Sequence, residues 1–136
     1  MLEAYSINQT ISATNGIIPF GSVSIEKGCT ARLADTNTIE LNKCGVYEII
    51  FEGEYLASTA GTINVGMTKN GVDQPQAQRT VIGATTTESK SVSISTLVQV
   101  RDNNSCRCCD APTLIQFINK GVAVVGDTNV VVTKLC

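Results

Sequence analysis

The chain is predicted to fold as an all-β, two-sheet jelly-roll sandwich, and three features of the sequence carry that expectation. Apolar and polar residues alternate with a period of two in several long runs. Clusters of Gly, Ser, Thr and Asn interrupt these runs at intervals of roughly 8–15 residues, the spacing of strands in a sandwich or jelly roll. No stretch joins a 3.6-residue period to helix caps. With 136 residues and a mass of 14.4 kDa, one domain is expected, large enough to bury a core without staples.

Taken in order, residues 1–14 are polar and lack a core pattern, which leaves two readings open: an arm that docks on a larger assembly, or a first strand. The jelly roll is expected over 15–136. Asp35-Thr36-Asn37-Thr38 reads as the turn of a hairpin. With its centre there, Leu33 faces Glu40, Ala31 faces Asn42 and Cys29 faces Cys44. The strongest periodic segment is VYEIIFEGEYLA, residues 46–57, with Tyr47, Ile49, Phe51 and Tyr55 on one face and Glu48, Glu52 and Glu54 on the other. In TINVGMTKNG, Ile63, Val65 and Met67 alternate with small or polar residues, and Asn70-Gly71 predicts a type I′ hairpin turn because both central positions take positive φ. SVSISTLVQV, residues 91–100, puts Val92, Ile94, Val98 and Val100 on one face and serines opposite. TLIQFIN (113–119) is apolar on both faces, Leu114 and Ile118 on one side and Ile115 and Phe117 on the other, as suits a central strand or an interface strand. NVVVTKL (129–135) completes the set with a β-branched run.

Composition excludes several functions. The net charge is −2, the pI is near 5.0 and the ten basic residues are scattered, so the basic patch of a nucleic-acid binder is missing. No apolar run approaches the roughly 20 residues of a membrane span, and MLEAYSINQT has neither a basic n-region nor an apolar h-region, so neither membrane insertion nor an export signal is expected. Histidine is absent, which removes imidazole as base, nucleophile partner or metal ligand. No enzyme activity and no cofactor are expected; the twelve carboxylates read as solvated loop and strand residues.

Six cysteines require an account, three of them in SCRCCD, residues 105–110. The hairpin register makes Cys29 and Cys44 candidates for a disulfide, worth about 3 kcal/mol if unstrained, against the alternative of two small buried thiols. Pairing TLIQFIN with NVVVTKLC about residue 125 would carry Cys136 to the end of the sandwich that holds Cys106, Cys108 and Cys109. C-x-C-C does not match the knuckles of a structural zinc site, so no metal is expected there. Arg107 lies beside these thiols, but no base or redox C-x-x-C frame accompanies it, so the segment is read as a loop with a structural or incidental role.

The order of segments resembles the jelly-roll domain of the complement-component and tumour-necrosis-factor superfamily, most closely its bacterial and phage branch, which includes the head of the Bacillus exosporium collagen-like glycoprotein and small prophage-encoded proteins. The resemblance is carried by NGIIPFGSVSIEKG, the TINVGMTKNG hairpin, STLVQV and NVVVTKLC, and above all by TIELNKCGVY, residues 38–47. Cys44 stands where that family usually has proline before the turn glycine, here Gly45. The resemblance implies a compact threefold homotrimer, with Tyr47, Ile49, Phe51, Tyr55, Leu114, Ile115, Phe117 and Ile118 in its core or trimer interface. It also suggests calcium, for which Asp73, Asp102, Asp110 and Asp127 sit in loops but lack calcium-loop spacing. The implied role is a structural module of a phage or prophage particle (capsid decoration, fibre or tail-associated), located in the virion and facing a host glycan or protein. The alternatives are a carbohydrate- or receptor-binding module and a spore-surface component. The missing Gly-X-Y shaft speaks against the spore surface, and the absence of Trp leaves few aromatic platforms for sugar stacking.

Overall fold

Strand formation follows the alternation of the sequence, extended by edge strands that the alternation does not announce. The structure is a computed structural model that describes residues 1–11, 15–101 and 112–135. Its strands are β1 Leu2–Thr10, β2 Gly16–Ile17, β3 Ser22–Glu26, β4 Ala31–Asp35, β5 Thr38–Leu41, β6 Gly45–Ala57, β7 Gly61–Lys69, β8 Val72–Ala84, β9 Lys90–Val100, β10 Thr113–Asn119 and β11 Ala123–Lys134. Among the described residues there is no helix, hence none long and apolar enough to cross a membrane. The first sheet has the order β3-β1-β11-β6-β9, and the second β4-β5-β10-β7-β8 with β2 alongside β10. All the pairings are antiparallel. Two such sheets face to face, with the chain passing repeatedly between them, make a jelly roll.

Burial explains why the sheets stack. Tyr47, Ile49, Phe51 and Tyr55 of β6 point inward and are fully buried, as are Ile63, Val65 and Met67 of β7 and Ile115 and Phe117 of β10. At the centre Phe51 and Phe117 stack with ring centroids 4.3 Å apart, and Phe20 meets both edge-on at 6.3 and 6.1 Å. Each such ring contributes about 1.5–3 kcal/mol by burial, and favourable ring pairing adds to it. Leu114 and Ile118, on the other face of β10, are partly exposed. The β7–β8 turn takes the expected form, with φ of 52° at Asn70 and 82° at Gly71.

Three expectations need correction. The segment expected to lack a core pattern has one over residues 2–10: β1 pairs with both β3 and β11 and turns Leu2, Ala4 and Ser6 inward. The β4–β5 hairpin turns where expected, with Asp35 opposite Thr38, but a bulge at Ala34 slips the register, so Leu33 faces Ile39 and Ala31 faces Leu41. Continuing that register no longer sets Cys29 opposite Cys44. Finally, β10 and β11 do not pair with each other; they lie in different sheets. The crossing at residues 120–122 is held by buried Asn119, which donates from Nδ2 to the Ala123 carbonyl (2.8 Å) and accepts from the Gly121 N–H (3.2 Å). The Lys120 and Val122 N–H groups bond to the Asn64 and Thr62 carbonyls. The pairing about residue 125, on which the gathering of Cys136 with Cys106, Cys108 and Cys109 was expected, therefore does not exist.

Candidate functional site

The outward face of the first sheet is a checkerboard set by register. One row reads Glu3, Val131, Ile50, Ser95; the next Tyr5, Asn129, Glu52, Ser93; a third Asp127, Glu54, Ser91; and a fourth Thr133, Glu48, Leu97. Five carboxylates and no basic residue occupy these rows. Between them Tyr5, Ile7 and Leu97 are exposed large apolar side chains, and Ile50 and Val131 are half-buried.

A hollow of about 560 Å³ opens on this face, walled by Tyr5 and Ile7 on one side and by Glu52, Glu54, Ser91 and Ser93 on the other. Local irregularity shapes it. The register of β1 against β11 shifts between Ser6 and Gln9, where Asn8 takes a φ of 50° and donates its N–H to Asp127 Oδ1 at 2.8 Å. Under the floor the Tyr55 ring fills the space a side chain would need at Gly53 and Gly126. The Tyr55 hydroxyl and Thr128 Oγ1 are hydrogen-bonded at 2.7 Å, both buried. Burial holds the Tyr55 phenol above its ordinary range, and the Thr128 hydrogen bond offsets this only in part. A raised native-state value favours the neutral form, so the stabilisation is complete below the unfolded pKa of about 10 and is lost as pH rises through the native value. Tyr55→Phe should therefore cost about 1 kcal/mol at neutral pH and flatten the alkaline decline in stability, as read by urea titrations in parallel at neutral and alkaline pH.

The residues named from the sequence distribute as follows. Tyr47, Ile49, Phe51, Tyr55, Ile115 and Phe117 lie inside the protomer. Cys29 is an exposed thiol and Cys44 a half-buried one, and the two are not bridged. Tyr47 orders the loops around them: its hydroxyl lies 2.7 Å from the Lys43 carbonyl and 3.3 Å from that of Thr30. Asp73 pairs with Lys120 Nζ at 3.1 Å in the second sheet, and Asp127 is committed to Asn8 in the first. Cys106, Cys108, Cys109, Cys136, Asp102 and Asp110 lie outside the described residues. Among the described residues no group of three or more potential ligands is placed to hold a metal ion.

No protein-family model matches the chain, and no curated protein matches its sequence. Solved structures do match it. The PRD1 vertex protein P5 superposes with a TM-score of 0.64 at 16% identity, covering 99% of this chain and 96% of that one. Murine APRIL superposes with TM-scores of 0.58 at pH 8.0 and 0.55 at pH 5.0, at 10% and 11% identity, covering 98% of both chains in each case. The fold is thus the tumour-necrosis-factor-like jelly roll. The narrower likeness to the exosporium head has no counterpart among the sequence matches.

Proposed function

We propose that the chain is a non-enzymatic structural protein of a phage or prophage particle, a jelly-roll module that assembles as a homotrimer and presents a rigid surface from the virion. The observation that carries this reading is the likeness to a phage vertex protein along nearly the whole length of both chains. The outward face of the first sheet is the assembly surface. It exposes Tyr5, Ile7 and Leu97 beside half-buried Ile50 and Val131, whereas the fully buried aromatic residues of β6 and β10 are already spent on the protomer core. Contact between face and neighbouring edge, repeated about a threefold axis, closes a ring and covers exposed edges.

That face also sets a condition on assembly. Each protomer brings Glu3, Glu48, Glu52, Glu54 and Asp127 to it without a basic residue in the same rows. Repulsion between copies should weaken the trimer at about 10 mM salt, where the Debye length is about 30 Å, relative to about 150 mM, where it is about 8 Å. Light scattering coupled to size exclusion is expected to give a mass near 3 × 14.4 = 43.2 kDa at the higher salt. Tyr5→Glu with Ile7→Glu should reduce it to 14.4 kDa, while Leu114→Glu on the second sheet should not. A 14.4 kDa species for the unaltered chain at both salt concentrations would remove the trimer from the proposal.

A further inference from the structure

We propose that Arg79 and Ile82, on the β8 edge of one copy, enter the acidic hollow on the first sheet of the next, with the guanidinium between Glu52 and Glu54 and the isoleucine against Tyr5 and Ile7. The inference rests on the homotrimer proposed above and names the contact that completes the hollow.

The hollow calls for an occupant of two characters. Its β1 wall is apolar, made by Tyr5 and Ile7, and its opposite wall is acidic, with Glu52 and Glu54 beside Ser91 and Ser93. Neither glutamate forms an ion pair among the described residues. Glu54 Oε1 accepts a hydrogen bond of 3.4 Å from Ser91 Oγ. A segment with a cation at one end and an aliphatic group at the other uses both walls.

The chain carries such a segment on an unpaired edge. β8 ends the second sheet with no strand beyond it. Ile82 is 82% exposed, more than any other large apolar side chain among the described residues. A bulge puts it there: Ile63 pairs with Val81 and Gly61 with Ala84, so Ile82 and Gly83 together oppose Thr62, and Gly83 takes a φ of 81°. Bulges of this kind re-aim side chains and interrupt a ladder, and an apolar side chain so placed on an edge gains from being covered.

Arg79 lies three residues before Ile82 and is also exposed. Its Nη1 donates to the Gln78 carbonyl at 2.8 Å, which leaves the other guanidinium N–H groups to bind carboxylates. No carboxylate pairs with it among the described residues. By contrast Arg32, on the other edge of the same sheet, is spent on Glu40 at 2.6 Å, and Lys120 on Asp73 at 3.1 Å. Spacing agrees with charge. Three residues of strand span about 10 Å, and two strand spacings, from β1 through β11 to β6, are also about 10 Å. An edge laid across the strands of the face therefore meets both walls at once. One guanidinium against five carboxylates leaves the face acidic, so the salt dependence stated above keeps its sign.

The test is a charge-reversal cycle on the full chain, read by light scattering as the protein concentration at which the trimer half-dissociates at about 150 mM salt. In the parent background Arg79→Glu is expected to raise that concentration at least about tenfold. In the background of Glu52→Arg with Glu54→Arg the same substitution should lower it, because the new carboxylate then faces guanidinium groups. Ile82→Ser should raise it about tenfold. Lys27→Glu, which changes the charge as Arg79→Glu does, should raise it no more than about twofold. Arg79 and Ile82 are exposed within the protomer, so the folded monomer should keep its urea midpoint in both variants. The contact is overturned, with the homotrimer left standing, if Arg79→Glu acts in the same direction in both backgrounds, if Lys27→Glu is as damaging as Arg79→Glu, or if Ile82→Ser associates as the parent does. A parent chain of 14.4 kDa at every concentration would remove the homotrimer and the contact together.

Discussion

Phe117→Asp is expected to give no folded protein, while Phe117→Leu folds with a modest loss of stability. Phe117 is fully buried, stacked on Phe51 at 4.3 Å and met edge-on by Phe20. Removing the ring alone costs about 3–5 kcal/mol. The carboxylate adds the penalty of an unpaired charge, which in practice takes up a proton or draws in water and adds several kcal/mol. Neighbouring β-carbons offer it no partner: Phe117 faces Met67 across the ladder, with Ile115 two residues away on the same face. Against a typical total of about 5–15 kcal/mol for a domain, the sum removes most or all of the stability. Leucine keeps the site apolar and most of its volume, so Phe117→Leu should unfold cooperatively at a lower urea midpoint, by about 1–2 kcal/mol. A soluble Phe117→Asp protein with native near-ultraviolet dichroism would mean that this side chain reaches water, and the central position of β10 would then be wrong.

The same residues show which parts of the fold can be read from sequence. β6, β7 and β9 announce themselves because their inward positions carry large apolar side chains and their outward positions mostly polar ones, and β10 because its β-branched and aromatic run is apolar on both faces. In β1 that contrast is inverted. Leu2, Ala4 and Ser6 point inward, while Tyr5 and Ile7 point outward, so the period of two cancels and the segment reads as polar. β8 hides for another reason: as an edge strand with a bulge it needs little more than Ala77 and Ala84 inside. The β4–β5 register failed by one residue because nothing in Leu33-Ala34-Asp35 marks the bulge. The pairing of β10 with β11 failed because chain neighbours usually lie side by side, and a jelly roll breaks that habit by sending the chain across to the other sheet.

The hollow was less legible still. It is assembled from β1, β6, β9 and β11, residues more than a hundred positions apart, and its outward glutamates look like ordinary solvated side chains one strand at a time. Only the register shows that five carboxylates share a face without a basic residue in the same rows. The edge proposed to enter it depends on a bulge in β8, for which Gly83 is the one visible sign.

Gly126→Ala is expected to be the most damaging single-methyl addition in the first sheet, costing about 2–4 kcal/mol. Gly126 sits opposite Tyr55 in the β6–β11 ladder, which runs from Ala123 opposite Ala57 to Lys134 opposite Tyr47. A Cβ at 126 would collide with the Glu54 carbonyl oxygen and with the Tyr55 ring. The first of these is backbone, so no side-chain rotation relieves it. Either the strands separate, which weakens ladder hydrogen bonds, or Tyr55 leaves its place and takes the Thr128 hydrogen bond with it. Glycine is needed here for close approach, not for a left-handed conformation, so the loss is steric. Gly21→Ala is the natural comparison, since its added methyl meets only Gln9 Nε2 at 3.8 Å, and it should fall within about 0.5 kcal/mol of the parent. Urea midpoints for the two variants decide the matter. If Gly126→Ala were as mild as Gly21→Ala, β11 would be free to move away from β6, and the floor of the hollow would not be the rigid surface on which the proposed assembly depends.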